Sequence, residues 1–303
     1  MYTFNGNILT VANKWLGDGS RPLPPPTGDI PKVRLKFQQN VDPREIQRFI
    51  QHDPALEFEL ISAADNIWDI GTPINDIVGY ADWGDLCQGV TEVTEFVGVY
   101  RSDLVFNMAR MFISCTNLVS AGNVILDVSG IHDYTGGLMT VTGTIDSMFY
   151  GCESLVSAPD VSGHAITNAN IKNLENMFHD CHSLKNVPQC WTVNDCENFD
   201  NMFNGCLSLE SVWELRLPNA KNMDRMFADC RVLEYVGDNF LLGPVITCVR
   251  TFYNCYVVHN AYGLYQTLSP KTTITDHRNT FTNAGINAPG EEWMYDLIAD
   301  DWK

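Results

Sequence analysis

The phrase Met-Phe-x-x-Cys-x-x-Leu recurs along this chain. It stands at Met111-Phe112-Cys115-Leu118, Met148-Phe149-Cys152-Leu155, Met177-Phe178-Cys181-Leu184, Met202-Phe203-Cys206-Leu209 and Met226-Phe227-Cys230-Leu233. Two worn copies follow, Thr251-Phe252-Cys255-Val258 and Thr280-Phe281-Ala284. Successive copies begin 37, 29, 25, 24, 25 and 29 residues apart. A unit this short cannot bury an apolar face alone, so it must stack on its neighbours. That points to an array of repeats with a shared interior rather than to a catalytic cavity.

Each copy divides into two halves. In the third, Leu174, Phe178 and Cys181 are spaced by 4 and then 3, which places them on one face of a helical turn. The second half reads as a short extended piece, closed by Gly122, Pro159, Pro188 or Gly237. The expected fold class is therefore an α/β repeat: a leucine-rich-repeat-like solenoid of parallel strand ladder plus short helical turns, with a small N-terminal α+β segment. Seven layers at a strand spacing of about 4.8 Å would make a rod about 35 Å long.

Cys115, Cys152, Cys181, Cys206, Cys230 and Cys255 share one repeat position, and Cys248 falls in another apolar column. Thiols in series at a core position read as small buried hydrophobes. His179-Asp180-Cys181-His182 resembles a metal site out of context, but Cys181 belongs to the core column and its neighbours point elsewhere. Zinc needs four converging ligands, and no metal or cofactor is expected.

The net charge is −18, from 37 acidic against 19 basic residues. That opposes binding to nucleic acid and to anionic membranes, which both need clustered Lys and Arg. No run reaches the about 18 apolar residues of a membrane helix, and Met1-Tyr-Thr-Phe-Asn-Gly-Asn lacks the pattern of a secretory signal. Synthesis and folding in a reducing cytoplasm are expected, in keeping with unpaired core cysteines.

Five segments are expected. Residues 1–19 read as an attachment hairpin turning at Asn5-Gly6, with Tyr2, Phe4, Ile8 and Trp15 as the candidate attachment side chains. Residues 20–31 are a proline-rich tether. Residues 32–105 form a small α+β domain and cap, in which Asp42-Pro43 opens a helix and Val33, Leu35 and Phe37 alternate as a strand. Residues 106–285 are the repeats. Residues 286–303, with Glu291–Ile298, are a closing helix.

With its preceding Asn, as in Asn173-Leu-Glu-Asn-Met-Phe178, the phrase resembles the BspA-type leucine-rich repeat over about residues 106–285. That repeat occurs in surface proteins of gut and oral bacteria and in virion proteins of gut bacteriophages. The segment from Asn66 to Val99 and the opening MYTFNGNILTVANKWL resemble proteins of Bacteroidales phages and prophages. The bacterial adhesins differ by carrying an export signal and an outer-membrane anchor.

Motifs of metalloprotease, phosphate-loop and serine-hydrolase type are absent from the sequence. The 7 histidines are scattered, and no pair among the many carboxylates is singled out for glycoside cleavage. An outward column of the extended halves reads Ser120, Ser157, Asn186, Ser211, Tyr235, Asn260, with Trp191 and Trp213 just beyond. Ser157, Asn186, Trp191, Ser211, Trp213 and Tyr235 are the candidate binding residues, and the insertion at 131–143 is a second contact candidate. The resemblance and the tether together imply a non-enzymatic phage virion protein, a head fibre, decoration or tail appendage. Its N-terminus would meet other virion proteins, and its repeats a host surface protein or glycan. A homo-oligomer is possible. A bacterial surface adhesin and a glycan depolymerase are the alternatives.

Overall fold

The computed structural model describes residues 2–4, 7–9, 30–74, 80–122, 124, 126, 131, 134–136, 139–141, 144–159, 171–187, 195–212, 217–237 and 243–303. Near the start, β1 (Tyr2–Phe4) pairs antiparallel with β2 (Asn7–Leu9). Next come β3 (Lys32–Phe37), α1 (Gln47–His52), β4 (Glu57–Ser62), β5 (Ile67–Gly71), β6 (Ala81–Asp82) and β7 (Val93–Tyr100). The regular sheet is antiparallel, in the order β4-β5-β3-β7. Val33, Leu35 and Phe37 of β3 enter the core, as strand alternation demands. On the opposite face Arg34 meets Asp69 of β5 in a two-pronged ion pair, 2.6 and 2.7 Å, with neither side chain exposed. A buried pair of this kind has to satisfy its own charges, and bidentate geometry does so.

The repeats follow, together with β8 (Val105–Asn107), the hairpin β9 (Tyr134–Gly136) and β10 (Met139–Val141), β11 (Ser211–Val212), β12 (Tyr235–Val236) and α2 (Ala261–Leu268). Each repeated phrase forms one rung of a stack, and alternate amides bind in opposite senses. The N–H groups of Leu174, Asn176, Phe178 and Asp180 donate to the carbonyls of Asn198, Asp200, Met202 and Asn204 in the next rung, at 2.8–2.9 Å. The N–H groups between them, on Met177, His179 and Cys181, donate within the rung to the carbonyls of Leu174, Asn176 and Phe178, at 3.1–3.3 Å. The same alternation repeats from rung to rung, so a buried backbone is satisfied without helix or strand.

This bonding needs two left-handed residues per rung. They are Asn176 and Asp180 (φ 55° and 58°), Asn201 and Gly205 (55° and 75°), Arg225 and Asp229 (51° and 60°), and their counterparts from Asp85 and Gly89 to Asn279 and Asn283. Asn, Asp and Gly tolerate this region, which explains their density on the turns. A Cβ at Gly205 would also require the Asp180 carboxylate to move, since it would lie 2.4 Å from Asp180 Oδ1.

Side chains lock the stack. Phe112, Phe149, Phe178, Phe203, Phe227, Phe252 and Phe281 lie one above the next, with centroids 5.4–5.6 Å apart and planes within 15°. This is offset stacking inside a dry core. Each column thiol donates back to the preceding rung: Cys152 Sγ to the Phe112 carbonyl (3.0 Å), Cys181 to Phe149 (3.1 Å), Cys206 to Phe178 (3.1 Å), Cys230 to Phe203 (3.1 Å) and Cys255 to Phe227 (3.0 Å). The Phe carbonyls also accept the Cys amide of their own rung. Burial raises these thiols, that of Cys115 to about 12, which makes them inert. In the worn copies Thr251 replaces Met, and its single O–H lies between the carbonyls of Met223 and Cys248, each 2.8 Å from Oγ1.

A further rung precedes the first copy of the phrase. Trp83, Asp85, Cys87 and Gly89 donate to the carbonyls of Asn107, Ala109, Met111 and Ile113. Cys87 occupies the Phe site, and Phe96 fills the vacated volume, 4.9 Å from Phe112 and tilted by 43°. Side chains of α1 close this end: His52 Nε2 lies 2.9 Å from the Gly84 carbonyl and Arg48 Nε 2.7 Å from that of Asp85. At the other end the Phe281 amide donates to the Trp302 carbonyl (2.9 Å), and His277 stacks on the Trp302 ring at 4.2 Å. One apolar cluster runs from Val33 to Trp302.

These findings overturn the α/β leucine-rich-repeat-like solenoid expected from the spacing. The largest sheet is antiparallel, and among the described residues the helices are few. The expected helical turns do not form, because a right-handed helix cannot pass through φ near +55° twice in each rung. The expected strand ladder shrinks to single bridges and the two-residue β11 and β12. The segment Glu291–Ile298 contains a 3-10 helix, Glu292–Leu297.

The left-handed sites can be tested at Ser114, an exposed residue with φ 59°. Ser114→Val should cost about 1–2 kcal/mol in urea unfolding, whereas Ser114→Gly should be nearly neutral. Equal losses for the two would contradict the backbone assignment.

Candidate functional site

Two walls of the stack offer repeated chemistry. On the first, the extended halves join through parallel bridges from Glu95 of β7 to Ser120, Ser157, Asn186, Ser211 and on to Tyr235. Since β7 also pairs with β3, the antiparallel sheet runs into this column without a break. In this column Asn186 is exposed and Ser120, Ser157, Ser211 and Tyr235 are half-buried, between a buried Leu two residues before and an apolar Ala or Val one residue after. Ser120 Oγ lies 3.3 Å from Ser157 Oγ. Beside it run Val119 and Val156, both exposed, then Lys185, Glu210 and Glu234.

The second wall carries the turns. Several rungs open on an Asx or Thr whose side chain accepts the amide two residues on: Asn173 Oδ1 from Glu175 (3.0 Å), Asn198 from Asp200 (3.2 Å), Asn222 from Asp224 (2.9 Å) and Thr144 Oγ1 from Asp146 (3.2 Å). The residues so presented, Asp146, Glu175, Asp200 and Asp224, form a column of carboxylates. Burial pushes the Asp200 carboxyl up to about 6, helped by the negative charges of Asp224 and Glu175. Amides knit the column: Asn201 Nδ2 donates to Asp200 (2.9 Å), Asn204 Nδ2 to Asn201 (2.8 Å) and Asn198 Nδ2 to Glu175 (3.2 Å). Tyr150 meets His179 edge to face at 4.7 Å.

The structure brings Ser157, Asn186, Ser211 and Tyr235 onto adjacent rungs of the first wall. Trp191 and Trp213 lie outside the described residues, as do Trp15 and most of the tether 20–31. Tyr2, Phe4 and Ile8 fall in the paired strands β1 and β2. The insertion 131–143 holds the β9–β10 hairpin. In the His179-Asp180-Cys181-His182 segment Cys181 enters the core, while His179 and His182 approach Asp180 at 3.6 and 3.8 Å. Among the described residues no group of three or more His, Cys, Asp or Glu is placed to hold a metal ion. Sequence reasoning missed the turn wall. Its signal in the sequence is the Asn or Thr followed two residues later by an acid, at Thr144/Asp146, Asn173/Glu175, Asn198/Asp200 and Asn222/Asp224.

Residues 140–267, under half of the chain, match a family described as "Mycoplasma protein of unknown function, DUF285". The match agrees with a BspA-type repeat in that segment. No curated protein and no solved structure matches the chain. No helix among the described residues is long and apolar enough to cross a membrane.

The Asp200 carboxyl sets a pH dependence with a defined sign. Its folded pKa of about 6 lies above the unfolded value, so its contribution favours folding below the unfolded pKa and is lost as pH rises through 6. Asp200→Asn should therefore raise the melting temperature at pH 7.5 and flatten its decline between pH 4 and 7. An unchanged pH profile in the variant would refute the assignment.

Proposed function

We propose that this chain is a non-catalytic display protein whose bridged polar column docks on a host-surface glycan or protein. The observation that carries the reading is the continuity of Ser157, Asn186, Ser211 and Tyr235 across successive rungs, on a backbone hydrogen-bonded from rung to rung. Hydroxyl, amide and phenol groups at a regular rung spacing suit a polymeric ligand, which can repeat one weak contact many times. Pre-ordering of the rungs removes the entropy that a loop-borne site would lose on binding.

The fuller reading places the chain in a phage virion, with residues 1–31 docking to the particle and the repeats turned outward. It rests on the resemblance of Asn66 to Val99 and of the N-terminal segment to phage proteins. A bacterial surface protein is the second reading, favoured by the match of residues 140–267 to a family named for Mycoplasma.

Two measurements test these statements. Asn186→Ala combined with Tyr235→Ala should weaken binding to immobilised host-surface polysaccharide or host-envelope protein about ten-fold without lowering the melting temperature; binding equal to the parent chain would exclude the column. A chain lacking residues 1–31 should fold but fail to enter particles, and normal incorporation would exclude N-terminal docking.

A further inference from the structure

The last part of the chain carries a surface that neither wall accounts for. The 3-10 helix Glu292–Leu297 leaves Trp293 60% exposed and Leu297 48% exposed. Single exposed apolar residues are ordinary. These two differ because they stand four residues apart on one short 3-10 segment that is fixed from several sides. Ile298 is buried, the Tyr295 hydroxyl accepts the Asn283 amide at 3.2 Å, and the Lys303 ammonium sits 4.9 Å from the Tyr295 ring centroid. Glu291 accepts the Asn260 amide at 2.8 Å. The indole is thus presented on an anchored platform rather than a frayed end.

Its surroundings are acidic. Glu291, Glu292, Asp296, Asp300 and Asp301 lie within this short stretch. Asp300 has Lys303 at 3.4 Å, while the ion-pair partners of Glu291 and Asp301 among the described residues are histidines, at 3.6 and 3.9 Å. Glu292 and Asp296 are exposed and have no ion-pair partner among the described residues. An indole flanked by unpaired carboxylates complements a cation that also carries an apolar body, because the ring face attracts the charge and the carboxylates neutralise it. A second copy of this chain would set acid against acid, with −18 on each side. A neutral sugar can stack on the ring and donate hydroxyls to the carboxylates, but it brings no positive charge to offset theirs.

We propose that Trp293 and Leu297, rimmed by Glu292 and Asp296, form a docking point for a basic, Arg- or Lys-bearing apolar segment of a partner protein. The docking point is separate from the polar column and does not rest on it. Trp293 anchors the aliphatic stem and cation, and Glu292 and Asp296 fix the charge.

The test uses the full chain and a fluorescently labelled peptide of alternating Arg and Leu, read by anisotropy at several salt concentrations. Trp293→Ala, which leaves net charge unchanged, should weaken binding at least about ten-fold, the loss typical of an aromatic anchor. The double variant Glu292→Gln, Asp296→Asn should weaken it several-fold and flatten its salt dependence. Leu60→Ala, at a different exposed site, should bind as the parent does. Parent-like binding by Trp293→Ala would show that bulk charge alone holds the peptide, and would overturn the proposal. So would a labelled maltoheptaose that binds the parent and not Trp293→Ala while the peptide is indifferent to the change. A dimer in sedimentation that Trp293→Ala abolishes would equally replace the basic partner with a second copy.

Discussion

The structure depends on how its rungs divide their backbone hydrogen bonds. Half the amides of each turn reach the next rung and half close the turn itself. Neither set suffices alone: the first without the second would be an extended sheet, and the second without the first a string of isolated turns. Together they pair the backbone amides of the rungs, a condition for packing Phe, Met and Leu against one another without water. The thiol column belongs to the same scheme, since each S–H gives the Phe carbonyl of the preceding rung its second partner. A cysteine there combines small volume with a donor, a pair of properties that alanine or valine lacks.

The rung scheme also decides what the surfaces offer. Side chains at a given site repeat in line, so a single choice of residue type becomes a column. On one wall that produces hydroxyls and amides at the bridged positions; on the other it produces carboxylates steadied by amides. Charge alternation appears as well: Glu197 binds Lys221 at 2.8 Å and is also under the influence of Lys172. A shift of one rung would place like charges together, which opposes misregistration.

Much of this was legible in the sequence, and the reasons are specific. Met177, Phe178, Cys181 and Leu184 and their counterparts were placed in the interior because identical apolar residues recurring at a fixed spacing have to face the same way, and they are fully buried. The conformation joining them was not legible from spacing. Separations of 4 and 3 fit a helix, but they fit equally a chain bent by left-handed residues at Asn176 and Asp180. The Asn, Asp and Gly content of the turns was the available clue. The rung at Asp82–Phe96 escaped notice because Leu86, Cys87 and Val90 stand where Met, Phe and Cys are usual, with the missing ring supplied from Phe96. Of the candidate contact residues, those defined by period fell into one column, while Trp191 and Trp213, chosen for their type, lie beyond the described residues.

The two termini of the stack are the places where the scheme is broken and repaired by other means. His52 and Arg48 serve carbonyls at one end, and the Trp302 carbonyl serves an amide at the other. The interfaces between them share one pattern of backbone hydrogen bonds. Gene duplication or loss of a whole unit would leave each junction chemically unchanged provided both closures survive. Length is therefore an adjustable property of this architecture, and the reach of whatever it displays can evolve by whole increments without redesign of the interior.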